Sequence, residues 1–118
     1  MLTRRRVLWI DEAITTAPVN SGWIDVDDAT GLRLDHNNRT VMVFSNDTSI
    51  VKIEGSMDGV TSHRTMVAAQ AVTANTAYTY DLSTGASNVF RFYKITVTPS
   101  SNPDTISGWL IGNHITGT

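Results

Sequence analysis

The chain has 118 residues, a formal net charge of −2 and no cysteine. Its length suits one domain, since domains commonly hold about 100–150 residues. The absence of cysteine excludes disulfides, cysteine-based zinc sites and thiol nucleophiles. The charge balance lacks the broad basic field of nucleic-acid-binding proteins, and no apolar run approaches the ~20 residues of a membrane-spanning helix. We therefore expect neither nucleic acid nor a membrane as a partner.

Short runs rich in threonine, β-branched and aromatic residues alternate with turn-forming clusters along the chain. Such residues fit a pleated, half-buried surface, whereas Gly, Asn, Asp, Ser and Pro supply turn geometry. In chain order, the predicted strands are Arg6–Ile10, Gly22–Val26, Gly31–Leu34, Thr40–Ser45, Ser49–Gly55, Arg64–Ala68, Ala77–Leu82, Val89–Thr98 and Thr105–Gly112. The places for a short helix are Asp11–Ala17 and Ala69–Asn75. Without crossover helices to build a parallel sheet, the sequence predicts an all-β fold, a single antiparallel β-sandwich of jelly-roll-like type with an N-terminal arm.

The first twenty residues differ in character from the rest of the chain. Arg4, Arg5 and Arg6 form its one concentrated charge, and an apolar run containing Trp9 follows. A terminal basic cluster is commonly a solvated end, but the apolar run favours an arm that pairs as an edge strand or lies on a neighbouring subunit. We therefore interpret residues 1–20 as an N-terminal arm with the first edge strand and residues 21–118 as the sandwich. The four named side chains are candidates for a docking or oligomer interface.

Alternation assigns the faces of two predicted strands. Lys52 and Glu54 alternate with apolar residues, which is typical of a sheet with one wet side. The residues predicted to face the core are Val51, Ile53, Tyr93, Ile95 and Val97.

Two phenylalanines do not follow this pattern. Phe90 and Phe92 fall on the same face as Lys94, opposite the predicted core residues of their own strand. An apolar group there fits either a central strand covered on both sides or a contact between subunits. The core explanation is favoured, and both residues join the candidate interface.

A carboxylate cluster suggests a cation site at first sight. Asp25, Asp27 and Asp28 lie close to a glycine, and calcium prefers such oxygen ligands. The twelfth position is His36, where an EF-hand needs a bidentate glutamate, so a solvated turn is the favoured interpretation.

No motif for catalysis is present. The three histidines are far apart in sequence, and there is no nucleophile elbow, zinc-protease motif or phosphate-binding glycine loop. Two distant carboxylates could serve a glycan-processing enzyme, which is the weakest of the alternatives. Trp23 and Trp109 fall in predicted strands and fit either the core or an interface, with the core favoured; tryptophan on a sandwich can also stack on sugars. We expect no enzyme, no cofactor and no metal.

Four segments together resemble β-sandwich or jelly-roll virion structural proteins of tailed bacteriophages, which include capsid decoration (cement) proteins and related fibre modules. The segments are Ser21–Val26, Val51–Gly59, Tyr78–Leu82 and Phe92–Thr98. The turn within the second is also similar to that of discoidin-like, galactose-binding sandwiches. Sugar-binding versions often carry an aromatic residue after this turn, whereas Val60 stands here.

The resemblance implies a non-enzymatic virion protein that binds the major capsid protein and stabilises the head. It implies a homo-oligomer, with a trimer favoured and a dimer next, located on the capsid surface after synthesis in the host cytoplasm. The alternative is a carbohydrate-binding or host-recognition module of a tail fibre or head surface.

Overall fold

The computed structural model describes residues 2–14, 18–28, 30–35, 38–82, 89–99 and 104–115. Within these ranges every regular element is a β-strand. In chain order the strands are β1 (Leu2–Ile14), β2 (Val19–Asn20), β3 (Ile24–Asp25), β4 (Thr40–Ser45), β5 (Ser49–Ser56), β6 (Arg64–Val72), β7 (Tyr78–Asp81), β8 (Phe92–Pro99) and β9 (Asp104–Ile115).

The strands form two antiparallel sheets. The four-stranded sheet has the order β1-β9-β4-β7, and the five-stranded sheet has the order β2-β8-β5-β6, with β3 also paired to β8. Because β5 and β8 each have a strand on both sides, they are central strands of their sheet.

Side chains from both sheets meet in one hydrophobic core. The buried apolar residues are Val26, Leu34, Val41, Val43, Val51, Ile53, Val72, Leu82, Tyr93, Ile95, Val97, Ile106, Leu110. Alternate residues of each central strand supply this core, as a period of two requires. The predicted all-β sandwich is therefore confirmed, as are the five predicted core residues of β5 and β8.

The predicted strand Gly22–Val26 is shorter than expected. Gly22 has a φ of +66°, a left-handed conformation that interrupts the edge of the sheet between β2 and β3. Ser21 bridges the interruption, because its N–H donates to the Ile95 carbonyl at 3.0 Å and its Oγ accepts the Ile95 N–H at 3.0 Å. The break leaves Trp23 in the connection between the two short strands.

The prediction of a short helix is wrong for both segments in the residues that the structure describes. Residues 11–14 continue β1 and pair with β9 as far as Ile14 opposite Asp104. Residues 69–72 continue β6, in which Ala71 lies opposite Ile50 of β5. A neighbouring strand satisfies the backbone of each segment, so pairing outweighs the modest local preference for helix.

The predicted strand Gly31–Leu34 is reduced to isolated ladder contacts. Arg33 forms a single bridge with Asp27. Its carbonyl also accepts the Ile115 N–H at 2.8 Å, and the Asp35 N–H donates to the Asn113 carbonyl at 2.8 Å. This segment therefore covers the part of β9 that lies beyond β4.

β1 pairs with β9 along almost its whole length. The register runs from Leu2 opposite Ile115 to Ile14 opposite Asp104, with an irregularity between Leu8 and Ile10 that skips Trp9. The N-terminal segment is thus an edge strand of the four-stranded sheet.

Candidate functional site

The predicted interface residues divide between the two sheets. Arg4, Arg5, Arg6 and Trp9 lie on β1, at one edge of the four-stranded sheet. Phe92 begins β8, a central strand of the other sheet. The candidate interface residues therefore do not share one sheet.

Phe90 packs within the molecule. It is half-buried against the hydrophobic core, and its ring meets that of Tyr93 edge-on at a centroid distance of 6.4 Å. A Cβ built on Gly55 would lie 2.3 Å from the Phe90 ring, so the ring occupies the space that a side chain at Gly55 would fill. The core explanation accounts for Phe90 without a second subunit.

Phe92 packs against the turn that carries the resemblance to phage proteins. A Cβ on Gly59 would lie 3.0 Å from the Phe92 ring, and Gly59 has a φ of +75°. The Arg91 guanidinium lies 5.3 Å from the centroid of the same ring. Phe92 is thus half-covered by its own chain, and the turn needs glycine both for its backbone and for this close approach.

Sequence reasoning missed the buried arginine at position 39. Arg39 is 1% exposed. Its Nη1 donates to the Phe90 carbonyl at 3.0 Å and to the Tyr93 hydroxyl at 3.3 Å, and its Nη2 donates to the Leu34 carbonyl at 3.0 Å. Its Nε has no hydrogen-bond partner among the described residues. The only available signal, an arginine in a polar turn, favours an exposed side chain.

Arg39 links the nearby Leu34 segment to the distant start of β8. The acceptors of its guanidinium belong to residues that lie five, 51 and 54 positions away in sequence. The Tyr93 hydroxyl also accepts the Phe90 N–H at 3.0 Å. Since a buried polar group is stable only when it is hydrogen-bonded, this network fixes the entry into β8 and therefore the position of Phe90.

A cluster of charged and aromatic side chains lies on the outer face of the five-stranded sheet. The Glu54 carboxylate lies 3.7 Å from the Lys52 ammonium and 4.0 Å from that of Lys94. The Lys94 ammonium also lies 4.8 Å from the centroid of the Trp23 ring. These are the only two lysines of the chain. Glu54 was predicted on the wet face but is buried beside the two lysines.

The two tryptophans expected in the core lie outside it. Trp23 is half-buried beside Lys94. Trp109 is half-buried between the buried residues Gly108 and Leu110 of β9, so alternation places it on the outer face of the four-stranded sheet. Each outer face therefore carries a tryptophan that a partner could cover.

Asp25 and Arg91 form a bidentate ion pair at the end of the same outer face. Arg91 Nε donates to Asp25 Oδ1 at 3.1 Å and Arg91 Nη2 donates to Oδ2 at 3.0 Å. The hydrogen bonds from Arg91 hold the pKa of Asp25 below its ordinary value of 3.8, and the Asp27 N–H adds to this effect. Asp25 is thus a partner of arginine rather than a free ligand for a cation.

At neutral pH, we expect the Asp25→Asn variant to have a lower free energy of unfolding than the wild type. On acidification, the free energy of unfolding of the variant should fall by less than that of the wild type. The folded-state pKa of Asp25 is lowered. The ionised carboxylate therefore contributes its full stabilisation above the unfolded pKa of 3.8, and this contribution is lost as the pH falls through the lower folded value. Urea unfolding measured between about pH 5 and pH 2 tests this.

The matched control for this measurement is Asp27→Asn. Asp27 makes one ion contact with Arg33, at 3.5 Å, with both side chains about half exposed. We expect little change at neutral pH, because exposed pairs contribute little. An acid profile of Asp25→Asn that runs parallel to the wild-type profile would contradict the role of the ion pair.

The connection between β5 and β6 is a tightly bonded hairpin tip. Asp58 Oδ1 accepts the backbone N–H groups of Thr61 and Val60, each at 2.8 Å, and the Ser56 hydroxyl at 2.9 Å. These bonds hold the pKa of Asp58 well below its usual range. The tip nevertheless exposes two apolar side chains, Met57 at 59% and Val60 at 81%. A fixed loop with exposed apolar groups is suited to docking.

The described residues hold no group of three or more carboxylates and histidines that could bind a metal ion, and they enclose no pocket. Asp28, one of the three carboxylates considered as cation ligands, instead accepts a hydrogen bond from the Thr30 N–H within its own turn at 3.0 Å. His63 Nδ1 accepts the Met57 N–H at 3.0 Å in the hairpin tip. His36 lies outside the described residues.

The part of the chain that the structure describes has no helix long and apolar enough to cross a membrane.

Comparison with known proteins gives a fold relationship. No protein-family model and no curated protein sequence matches this chain. Among solved structures, the PBSX exported protein XepA, a phage-related protein, is similar with a TM-score of 0.68 and 13% sequence identity. The similarity covers 97% of this chain and 38% of XepA, so the chain spans well under half the length of that protein. At this level of identity, the likeness shows a shared fold.

Proposed function

We propose that this chain is a non-enzymatic phage virion structural protein, a capsid decoration protein that binds the major capsid protein and stabilises the head. The observation that carries the proposal is the fold shared with a phage-related exported protein over 97% of the chain. The resemblance of four sequence segments to phage decoration and fibre proteins supports the same assignment. The protein would act on the capsid surface after synthesis in the host cytoplasm, as an oligomer for which the resemblance favours a trimer over a dimer.

The hairpin tip is the best-built docking element for such a partner. Met57 and Val60 are large apolar side chains that are 59% and 81% exposed, and the bonds to Asp58 fix the loop that presents them. A prearranged loop loses little conformational entropy on binding, so more of the contact energy appears as affinity. We therefore assign the capsid contact to this tip.

Decoration would stabilise the shell by mass action. A protein that binds the assembled lattice and not free subunits shifts the equilibrium away from disassembly, and the shift grows with its concentration. No chemical turnover is needed for this role.

The test is binding to capsids of the parent phage from which the decoration layer has been removed. We expect the protein to co-sediment with the shells at a fixed copy number and to raise their melting temperature. Met57→Asp combined with Val60→Asp should abolish binding, because each change places a charge in an apolar contact.

Ser62→Asp is the control, since Ser62 is exposed in the same loop and the change adds one negative charge there without removing an apolar side chain. It should bind as the wild type does. Failure of the wild-type protein to bind the capsids that lack their decoration layer would refute the decoration role.

The second candidate function is carbohydrate binding or host recognition as a module of a tail fibre or head surface. Two observations favour it: the chain corresponds to only 38% of XepA, so this fold also occurs within a longer chain, and Trp23 lies beside Lys94 on an outer face. A glycan array distinguishes the two functions. Specific sugar binding that Trp23→Ala removes, together with no affinity for capsids, would establish the module.

A further inference from the structure

β1 has one hydrogen-bonded neighbour among the described strands. It stands at the edge of the four-stranded sheet with β9 on one side, and its 13 residues make it the longest strand of the fold. An edge strand presents alternate N–H and C=O groups that can pair with a further strand. The sheet can therefore be extended at β1.

The two halves of β1 carry charges of opposite sign. Arg4, Arg5 and Arg6 occupy the first half of the strand and Asp11 and Glu12 the second, with an apolar run between them. A strand with this pattern is complementary to a copy of itself that runs in the opposite direction. A parallel copy would instead set arginine opposite arginine, which is destabilising.

We propose that β1 pairs antiparallel with β1 of a second copy of this chain, about a two-fold axis at Leu8. A two-fold axis between identical antiparallel strands sets one residue opposite its own copy, which here is Leu8. Pairs are counted outwards from Leu8. If Trp9 is skipped, as it is in the register with β9, then Arg6 lies opposite Asp11 and Arg5 lies opposite Glu12 of the second copy.

The charge match survives the alternative register. If Trp9 is counted, Arg5 lies opposite Asp11 and Arg4 lies opposite Glu12. Either register gives two pairs of opposite charge on each side of the axis and an apolar centre. The arrangement joins the two four-stranded sheets into one continuous sheet across the axis.

This self-association is a property of the chain alone and does not depend on capsid binding. A two-fold contact between like surfaces closes on itself and gives a dimer. The resemblance favours a trimer over a dimer, whereas the charge pattern of β1 favours the dimer. The basic cluster thus acts on the acidic half of the neighbouring β1 rather than as a solvated end.

Light scattering coupled to size-exclusion chromatography of the purified full chain tests the proposal. The wild type should be a dimer. Arg4→Glu/Arg5→Glu/Arg6→Glu and Asp11→Arg/Glu12→Arg should each be monomers, because each sets like charges opposite one another in either register. An equimolar mixture of the two variants should form a heterodimer, because one strand is then wholly acidic and the other basic.

The variant that carries all five changes should again be a dimer, because reversing every charge of β1 restores the match. Arg64→Glu, a charge reversal on the edge strand of the other sheet, should remain a dimer, and circular dichroism confirms folding of each variant. A wild-type monomer or trimer, or a dimer that persists in both charge variants, overturns the proposal. An equimolar mixture of the two charge variants that stays monomeric also overturns the proposal.

Discussion

Replacing Arg39 with alanine should lower the free energy of unfolding by about 3 kcal/mol, equivalent to a fall in Tm of about 10 °C. The change removes the guanidinium donor of the buried Leu34 carbonyl and of the partly buried Phe90 carbonyl, and it leaves a cavity where a side chain is 1% exposed. Chemical and thermal unfolding followed by circular dichroism measure the loss.

Two further variants separate the effect of lost volume from that of the buried charge and its hydrogen bonds. Arg39→Met keeps most of the volume and removes a buried charge, so it should retain more stability than Arg39→Ala. Arg64→Ala, at an exposed arginine of β6, should change the free energy of unfolding by no more than about 0.5 kcal/mol. Equal losses for Arg39→Ala and Arg64→Ala would show that the buried network contributes nothing.

Gly55→Ala should be the second severe change, with a loss of about 2 kcal/mol. The new Cβ would lie 2.3 Å from Cδ2 and 2.7 Å from Cγ of Phe90. Because Cγ lies close to the backbone, rotating the end of the ring cannot relieve the overlap, and the whole side chain must move. Thermal unfolding of the single variants and of Gly55→Ala/Phe90→Ala tests this, and the double variant should lose less stability than the sum of the two single losses.

Gly22→Ala is the matched control for Gly55→Ala. A Cβ at Gly22 meets nothing within 4 Å, but its φ is +66°, so its cost is backbone strain of about 1 kcal/mol. That cost should be unchanged when Phe90 is also replaced by alanine. Strictly additive losses for Gly55 and Phe90 would contradict the packing described above.

The face assignments show what local pattern can predict. Val51 and Ile53 of β5, and Tyr93 and Ile95 of β8, were predicted in the core from alternation and are buried. This signal is strong because a shift of one residue would move every side chain of a strand to the other face. The ends of elements were less predictable, since Ala69–Asn75 has no strong alternation and its first four residues become part of β6 only through pairing with β5.

The candidate site was predicted only in part. The sequence singled out Phe90 and Phe92 as apolar residues on an unexpected face, but the glycines that approach their rings come from the β5–β6 region, more than 30 positions earlier. Arg39 could not be found, because its hydrogen-bond acceptors follow from how Leu34 and the start of β8 are brought together. Glu54 was predicted exposed since alternation cannot show that it is buried beside Lys52 and Lys94.

By itself the sequence determined the fold class, the inward-facing residues of the central strands and the opposed charges along β1, because these depend on residue type and on a period of two. The tertiary structure alone decided that β1 is an edge strand of the four-stranded sheet, that Arg39 is buried among carbonyls and that Phe90 fills the space above Gly55. Each of these depends on which distant segments become neighbours. Pairing and packing are selected by the burial of the whole core, and no local window of sequence contains that information.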